Sequence, residues 1–354
     1  MYDILLAGIT AFLVTYIAIP PIIRIAKKKK LFDLPDERKS HNSNTPALGG
    51  LAIFAGVIFS LSFWTPFTVF GELQYILSAF IIIFLIGAKD DIDPVSPTTK
   101  LIAEVLAAAI LVMKSNVVIT SMHGLFGIYE IQPIFAIILS IVTIVVIVNS
   151  FNLIDGINGL GASITILAAT AMGSWFFLVN KIELSILAFA LTGSVLAFLR
   201  FNVTPAKIFM GDAGSLFCGL VVAIMTIKFI EYQQVLVDSP YSFKAVPAVA
   251  MGILILPLFD TLRVFTMRVL KGKSPLSPDR SHIHHILIDA GLSHMQATGT
   301  LVMVNLAFMI VVFKLQYVGT ANLLIVITSL ALALSVLLYF VAQARAEYKN
   351  THTS

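Results

Sequence analysis

The chain has 354 residues, of which 58% are hydrophobic and 12% charged, with a net charge of +4. Soluble domains carry ~25% charged residues, so the composition excludes a soluble globular protein and predicts an all-α, polytopic membrane protein. A lone cysteine, Cys218, inside an apolar run excludes a disulfide framework and a cysteine-based zinc site.

A membrane span needs ~20 mainly apolar residues. Eleven segments fit: 3–26, 47–64, 74–88, 100–114, 133–149, 160–179, 183–200, 211–230, 245–268, 297–314 and 319–341. The first lacks a small-residue cleavage site and is followed by lysines, so it reads as a first membrane helix and not as a removable signal. Asn116–Gln132 alternates apolar and polar residues around His123-Gly124 and Gly127, which predicts a small extracytoplasmic β-hairpin. Residues 1–342 read as one membrane domain, and 343–354 as a polar cytoplasmic tail expected to fray.

Orientation follows the basic residues. Lys27 to Lys30, Arg38 and Lys39 fall in loop 1, Lys89 and Lys100 at loop 3, and Arg200 and Lys207 at loop 7. Arg268, Lys271, Lys273 and Arg280 fall at loop 9 and Arg345 and Lys349 in the tail, whereas the even loops hold few. The positive-inside rule then makes the odd loops cytoplasmic and the N-terminus external.

Every chemically capable cluster falls on that cytoplasmic face. Loop 3 carries adjacent Asp90 and Asp91, which in a helix point ~100° apart. Such a pair serves as a helix cap or as a site where a hard cation relieves like-charge repulsion. Loop 5 reads N-S-F-N-L-I-D-G-I-N-G-L, with Asn149, Asn152, Asp155 and Asn158 at three-residue spacing. That is either a tight reverse turn or, if helical throughout, a polar stripe facing one ligand. Asp212, in F-M-G-D-A-G-S, is an ordinary N-cap or a ligand at a glycine-flanked helix start. Loop 9 holds Arg280, His282, His284 and His285; no Cys or further His lies close enough in sequence for zinc. With their lysine neighbours they read as a phosphate clamp or as a basic loop serving topology. Carboxylates, amides and cations together fit phosphoryl transfer with a nucleotide-activated substrate, and no Walker-type G-x-x-x-x-G-K-[ST] is present.

Five ordered motifs, P-A-L-G-G (Pro46–Gly50), D-D followed by Lys100, N-x-x-N-x-x-D-G-x-N-G-L, F-M-G-D-A-G-S and H-I-H-H, resemble the polyprenyl-phosphate N-acetylhexosamine-1-phosphate transferases. Within that family they are similar to the WecA/TagO branch. The resemblance implies a bacterial cytoplasmic-membrane enzyme that moves N-acetylglucosamine 1-phosphate from UDP-GlcNAc to undecaprenyl phosphate and releases UMP. It implies Mg²⁺, with Mn²⁺ as a substitute, held by Asp212 and Asn152, a catalytic pair Asp90 and Asp91, and phosphate contact by Lys100. Asn149, Asp155, Asn158 and Asn202 fall where the family handles the nucleotide sugar, and Asp33 matches an accessory acid in loop 1. The third family acid is displaced: Asp93 precedes Pro94, which takes its usual place, and Asp93 is left out of the site. The implied partners are a UDP-N-acetylhexosamine, undecaprenyl phosphate and the lipid bilayer, with no nucleic acid and a homodimer permitted but not required. The mechanism is direct displacement or a two-step route through an aspartyl phosphate. The rivals are a flippase or transporter of lipid-linked sugars, another UDP-hexosamine as donor, and a CDP-alcohol phosphatidyltransferase. The last needs D-G-x-x-A-R, which Asp155-Gly156-Ile157-Asn158 does not supply.

Overall fold

The architecture comes from a computed structural model that describes residues 2–31, 45–66, 70–236, 239–272 and 281–352. Among them are thirteen α-helices and no strand. In chain order these are α1 (Tyr2–Lys29), α2 (Gly49–Trp64), α3 (Phe70–Ile92), α4 (Pro97–Lys114), α5 (Pro133–Ile154), α6 (Leu160–Leu178) and α7 (Ile182–Asn202). There follow α8 (Gly211–Tyr232), α9 (Val246–Ile253), α10 (Ile255–Leu270), α11 (Ile283–Asp289), α12 (His294–Leu315) and α13 (Thr320–His352). Seven of the described helices are long and apolar enough to cross a membrane, or eight if α9 and α10, bent by 85°, count as one broken span. The protein is therefore an all-α polytopic membrane protein.

Helix α8 is the axis. It is apolar on every side, and such a helix is stable only when surrounded. Every residue from Ala213 to Ile230 is buried, and α2, α3, α5, α6, α7 and α9 pack around it. Helices α1 and α13 sit outside, with large apolar side chains such as Ile9, Leu13, Ile325 and Leu332 exposed as lipid-facing residues are. Consecutive α1 and α2 run antiparallel, with Thr10 at Trp64 and Thr15 at Ala52, whereas α1 and α7 run parallel, with Gly8 at Phe189 and Tyr16 at Phe201. The end of α3, the start of α4, the end of α5 and the start of α8 meet at one end of the bundle. The residues just after α4 meet the end of α8 at the other.

One expectation needs correction. The hairpin between α4 and α5 reduces to one antiparallel bridge, Ser121 with Glu130. His123, Gly124, Phe126 and Gly127 all take left-handed φ in the turn. They leave too few residues to pair as strands, and a two-stranded unit that short is marginal by itself. Helix α13 continues through Gln343 to His352.

Candidate active site

The site is built where α8 begins. Gly211 has φ 71°, and a Cβ there would lie 2.2 Å from the Ala47 carbonyl and 2.6 Å from the Asp91 carboxylate. Only glycine meets both conditions. The residue before it, Met210, offers no side-chain cap. Asp91 supplies one from α3: its oxygens accept the amides of Asp212 (2.7 Å) and Ala213 (3.0 Å). The P-A-L-G-G segment lies alongside, Phe209 N–H donating to Pro46 O (2.8 Å), Gly49 N–H to Phe209 O (2.9 Å) and Gly50 N–H to Met210 O (2.8 Å). Two motifs far apart in sequence thus make one rigid support for Asp212.

Asp90 points elsewhere, as adjacent residues of a helix must. Its Oδ1 accepts Val95 N–H at 2.7 Å and its Oδ2 accepts Lys100 Nζ at 2.6 Å. The same ammonium reaches Asp212 Oδ2 at 2.7 Å. Ser96 caps α4 and Pro97 opens it, which holds Lys100 in the first turns facing α8. Asp93 pairs with Lys89 at the exposed surface and stands outside this cluster.

The loop-5 stripe divides. Helix α5 stops at Ile154, so Asn149, Asn152, Asp155 and Asn158 do not share one face. Asn149 donates to Glu104 of α4 and to Val145 O. Asn152 Nδ2 donates to Ser215 Oγ on the first turn of α8 (2.9 Å), leaving its amide oxygen without a hydrogen bond among the described residues. Asp155 accepts the Gly161 amide, and its carboxyl is pushed up to about 8 by burial and then by the charges of Asp212 and Asp91. Asn158 donates to Thr204 Oγ1 (2.9 Å), while its Oδ1 is buried without a partner. Asn202 is a loop staple: Oδ1 accepts Gly159 N–H (2.6 Å) and Nδ2 donates to Ile208 O (2.9 Å).

Loop 9 docks onto loop 5. A Cβ on Gly156 would lie 2.2 Å from His284 Nε2, so the missing side chain is the space the imidazole fills. Both His284 nitrogens are buried without a partner. Its pKa falls to about 3, from burial and then from the neighbouring His285. The His284 and His285 rings are 4.3 Å apart, and His282 is held by Asp260 of α10. Arg280 and Asp33 lie outside the described residues.

Two buried carboxylates, Glu104 and Asp260, were not expected from sequence. Each stands in an apolar span one turn from a cation, Lys100 and Arg263 respectively. An ionisable pair at that spacing within a span was the available signal.

Among the described residues no group of three or more His, Cys, Asp or Glu is disposed to hold a metal. A hard divalent cation can take few protein oxygens and complete its shell with water and phosphate. The Asp212 carboxylate and Asn152 amide oxygen suit that chemistry. The mutual repulsion of Asp91, Asp155 and Asp212 is what a cation would relieve. A cavity of about 370 Å³ opens between α5, α8 and the bent α9–α10 pair, lined by Ile119, Met122 and Ile230 at the far end of the bundle and by Val142, Val146 and Leu258 along the helices.

The family model for "Glycosyl transferase family 4" matches residues 73–230, which contain the aspartate pair, Lys100, loop 5 and the start of α8. A Bacillus subtilis (strain 168) protein described as a probable undecaprenyl-phosphate N-acetylglucosaminyl 1-phosphate transferase is 32% identical over 312 residues, 88% of this chain and 84% of that one. The Escherichia coli (strain K12) undecaprenyl-phosphate alpha-N-acetylglucosaminyl 1-phosphate transferase is 29% identical over 294 residues, 82% of this chain and 77% of that one. Its Yersinia pestis counterpart is 28% identical over 279 residues, 77% and 74% of the two chains. The chain belongs to glycosyl transferase family 4, the family of membrane-embedded sugar-phosphate transferases whose motifs its sequence resembles.

Proposed function

We propose that the protein transfers N-acetylglucosamine 1-phosphate from UDP-GlcNAc to undecaprenyl phosphate, giving undecaprenyl-diphosphate-GlcNAc and UMP at the cytoplasmic face of a bacterial inner membrane. The observation that carries this reading is the Lys100 bridge between Asp90 and Asp212 at the start of α8. It sets one cation between two part-exposed carboxylates. A soluble nucleotide and a membrane-buried lipid phosphate need such a meeting point.

The reaction is a displacement in which an oxygen of the lipid phosphate forms a bond to the β-phosphorus of the donor. The bond from that phosphorus to the bridging oxygen breaks and UMP leaves. A phosphomonoester has its second pKa near ~6, so most of the acceptor is already a dianion at neutral pH. Asp90 therefore has mainly to orient the acceptor and take the residual proton, while Lys100 attracts its phosphate. Asp91 has both oxygens on α8 amides, so its part is to hold Asp212 in place. Mg²⁺ bound by Asp212 and Asn152 would neutralise the diphosphate charge, and Mn²⁺ should substitute. Asn149, Asp155 and Asn158 are assigned to the donor by their place in loop 5, Asn202 keeps that loop in shape, and Arg280, His282, His284 and His285 are assigned to the sugar diphosphate. Asp33 is assigned an accessory part in loop 1.

The same reading makes residues 1–342 one membrane domain of eleven spans, with the N-terminus outside and a homodimer as an allowed assembly. The antiparallel course of α1 and α2 and the meeting of loops 3, 5, 7 and 9 at one end support it. UMP release from a panel of UDP-hexosamines, with undecaprenyl phosphate and with Mg²⁺ or EDTA, tests the proposal. Release dependent on lipid phosphate, UDP-GlcNAc and Mg²⁺ is expected. Lipid-linked sugar translocation without UMP release would instead identify a transporter.

A further inference from the structure

Loop 9 is held by a side chain that none of its motifs contains. Asp260, on α10, is 2% exposed, and both its oxygens are engaged. Oδ2 accepts His282 Nδ1–H at 2.8 Å. Oδ1 accepts the Ile283 amide at 3.0 Å and Arg263 Nη2 at 2.8 Å. The same guanidinium nitrogen donates to Ser281 O at 2.6 Å. Three consecutive residues, Ser281, His282 and Ile283, are thus gripped by one buried acid–base pair on a different helix.

The grip is local and specific. His282 is the N-cap of α11, with extended backbone (φ −63°, ψ 149°) and no side-chain cap of its own. Asp260 supplies the missing acceptor to the first helical amide, as an N-cap side chain would. A carboxylate facing Nδ1 makes that nitrogen the N–H end, so the hydrogen bond also fixes the tautomer. The other nitrogen, Nε2, makes no hydrogen bond among the described residues. The His282 and His284 rings lie nearly parallel, 9° apart with centroids at 5.7 Å, so fixing one sets the wall against which the other packs.

We propose that Asp260, braced by Arg263, is a positioning residue for the transfer reaction: it sets the tautomer and ring plane of His282 and so presents Nε2 to the donor. The proposal rests on the transferase reading of the site. Asp260 touches no reacting group; it acts through His282. Binding the carboxylate to backbone as well as to imidazole leaves the ring little freedom to swing, and a misplacement of ~1 Å at a reacting centre can cost ~10²-fold in rate.

The test is a double-mutant cycle with Asp260→Asn and His282→Ala, measuring donor kcat/KM and acceptor KM. Asparagine keeps the volume and one acceptor, but its amide N–H end favours the opposite imidazole tautomer. Each single change should lower donor kcat/KM by about 10–100-fold and leave acceptor KM unchanged. The double variant should be no worse than His282→Ala alone, to within about twofold. Partial recovery is expected in Asp260→Glu. A full Asp260→Asn loss on top of His282→Ala would overturn the proposal and make Asp260 a fold residue only, as would unchanged kinetics in either single variant. Histidine ¹⁵N spectra read the tautomer without any turnover: Nδ1–H in the wild type, moved in Asp260→Asn. The same spectrum in both would overturn the positioning role. A wild type with the Nδ1–H tautomer but no UMP release would leave the clamp standing and overturn the proposed reaction.

Discussion

The two ends of the bundle hold similar polar residues put to opposite use. At the far end Glu231 accepts Thr120 N–H (2.8 Å) and Thr120 Oγ1–H (2.7 Å), with Gln234 adding a third bond. There Lys228, buried, donates to Ser115 O, and His123 bonds the Ile230 carbonyl. Those groups meet neutral hydroxyls, amides and carbonyls of the α4–α5 return and of the end of α8, and Lys228 and Glu231 carry opposite charges. At the site end the acids of α3, loop 5 and α8 are set against one another with Lys100 between two of them. The first arrangement closes an end and the second keeps charge in reserve. A buried polar group costs stability unless it is paired, so like charges held together in a membrane protein mark a place where a charged ligand completes the set.

Changing the two ends should therefore have very different effects. The largest belongs to Asp212: Asp212→Asn should reduce kcat for UMP release by ~10³-fold or more, since it loses several kcal/mol of transition-state charge stabilisation. Near-normal turnover at saturating Mg²⁺ would remove Asp212 from the site. Next is Gly156→Ala, whose new methyl would stand 2.2 Å from His284 Nε2 and push loop 9 off loop 5. Donor kcat/KM should fall ~10²-fold with helix content unchanged by circular dichroism; wild-type kinetics would mean the contact is dispensable.

A smaller effect concerns pH. The Asp155 pKa is raised from 3.8 to about 8. The folded state therefore holds the proton more tightly than the unfolded one. Its contribution to stability is fully present below pH 3.8 and is lost as pH rises toward 8. In EDTA, Tm should fall across that window in the wild type and fall less steeply in Asp155→Asn. Parallel slopes would contradict this placement of Asp155. The smallest effect belongs to the far end. Glu231→Gln gives up charge-assisted bonds at an exposed rim, about 1 kcal/mol of stability, and should leave donor kcat/KM within about twofold. A large loss of activity there would break the contrast between the two ends.

What could be read from sequence followed local chemistry. Seven of the eleven apolar segments fall on described helices long and apolar enough to span a membrane, because length and hydropathy are properties of a single stretch, whereas 245–268 is bent by 85° between α9 and α10. The aspartate pair, Asn152, Asp212 and the histidines stood out because polar residues beside apolar runs demand an explanation. What escaped was partnership across the chain. Asp91 serves α8, 121 positions away, and Asn149 serves Glu104, 45 positions away. No periodicity encodes such pairings. Asp260 escaped for a related reason: it lies inside a span and acts on a loop 22 positions later. The supposed stripe of loop 5 failed because it assumed a continuous helix, whereas α5 ends at Ile154 and sends Asn158 toward Thr204.

The central claim is that the charge cluster at the start of α8 exchanges one diphosphate for another. Bond types are matched on the two sides of that reaction, so its equilibrium constant should lie near unity, and a site that lowers the shared barrier must also serve the reverse direction. The direct measurement is incorporation of labelled UMP into UDP-GlcNAc by enzyme, Mg²⁺, undecaprenyl phosphate and unlabelled donor. Label should enter the donor in the complete mixture and not in Asp212→Asn. Omitting undecaprenyl phosphate should abolish exchange for direct displacement and preserve it for an aspartyl-phosphate intermediate. UMP release without any exchange in the complete mixture would contradict the account, because the enzyme would then be a hydrolase.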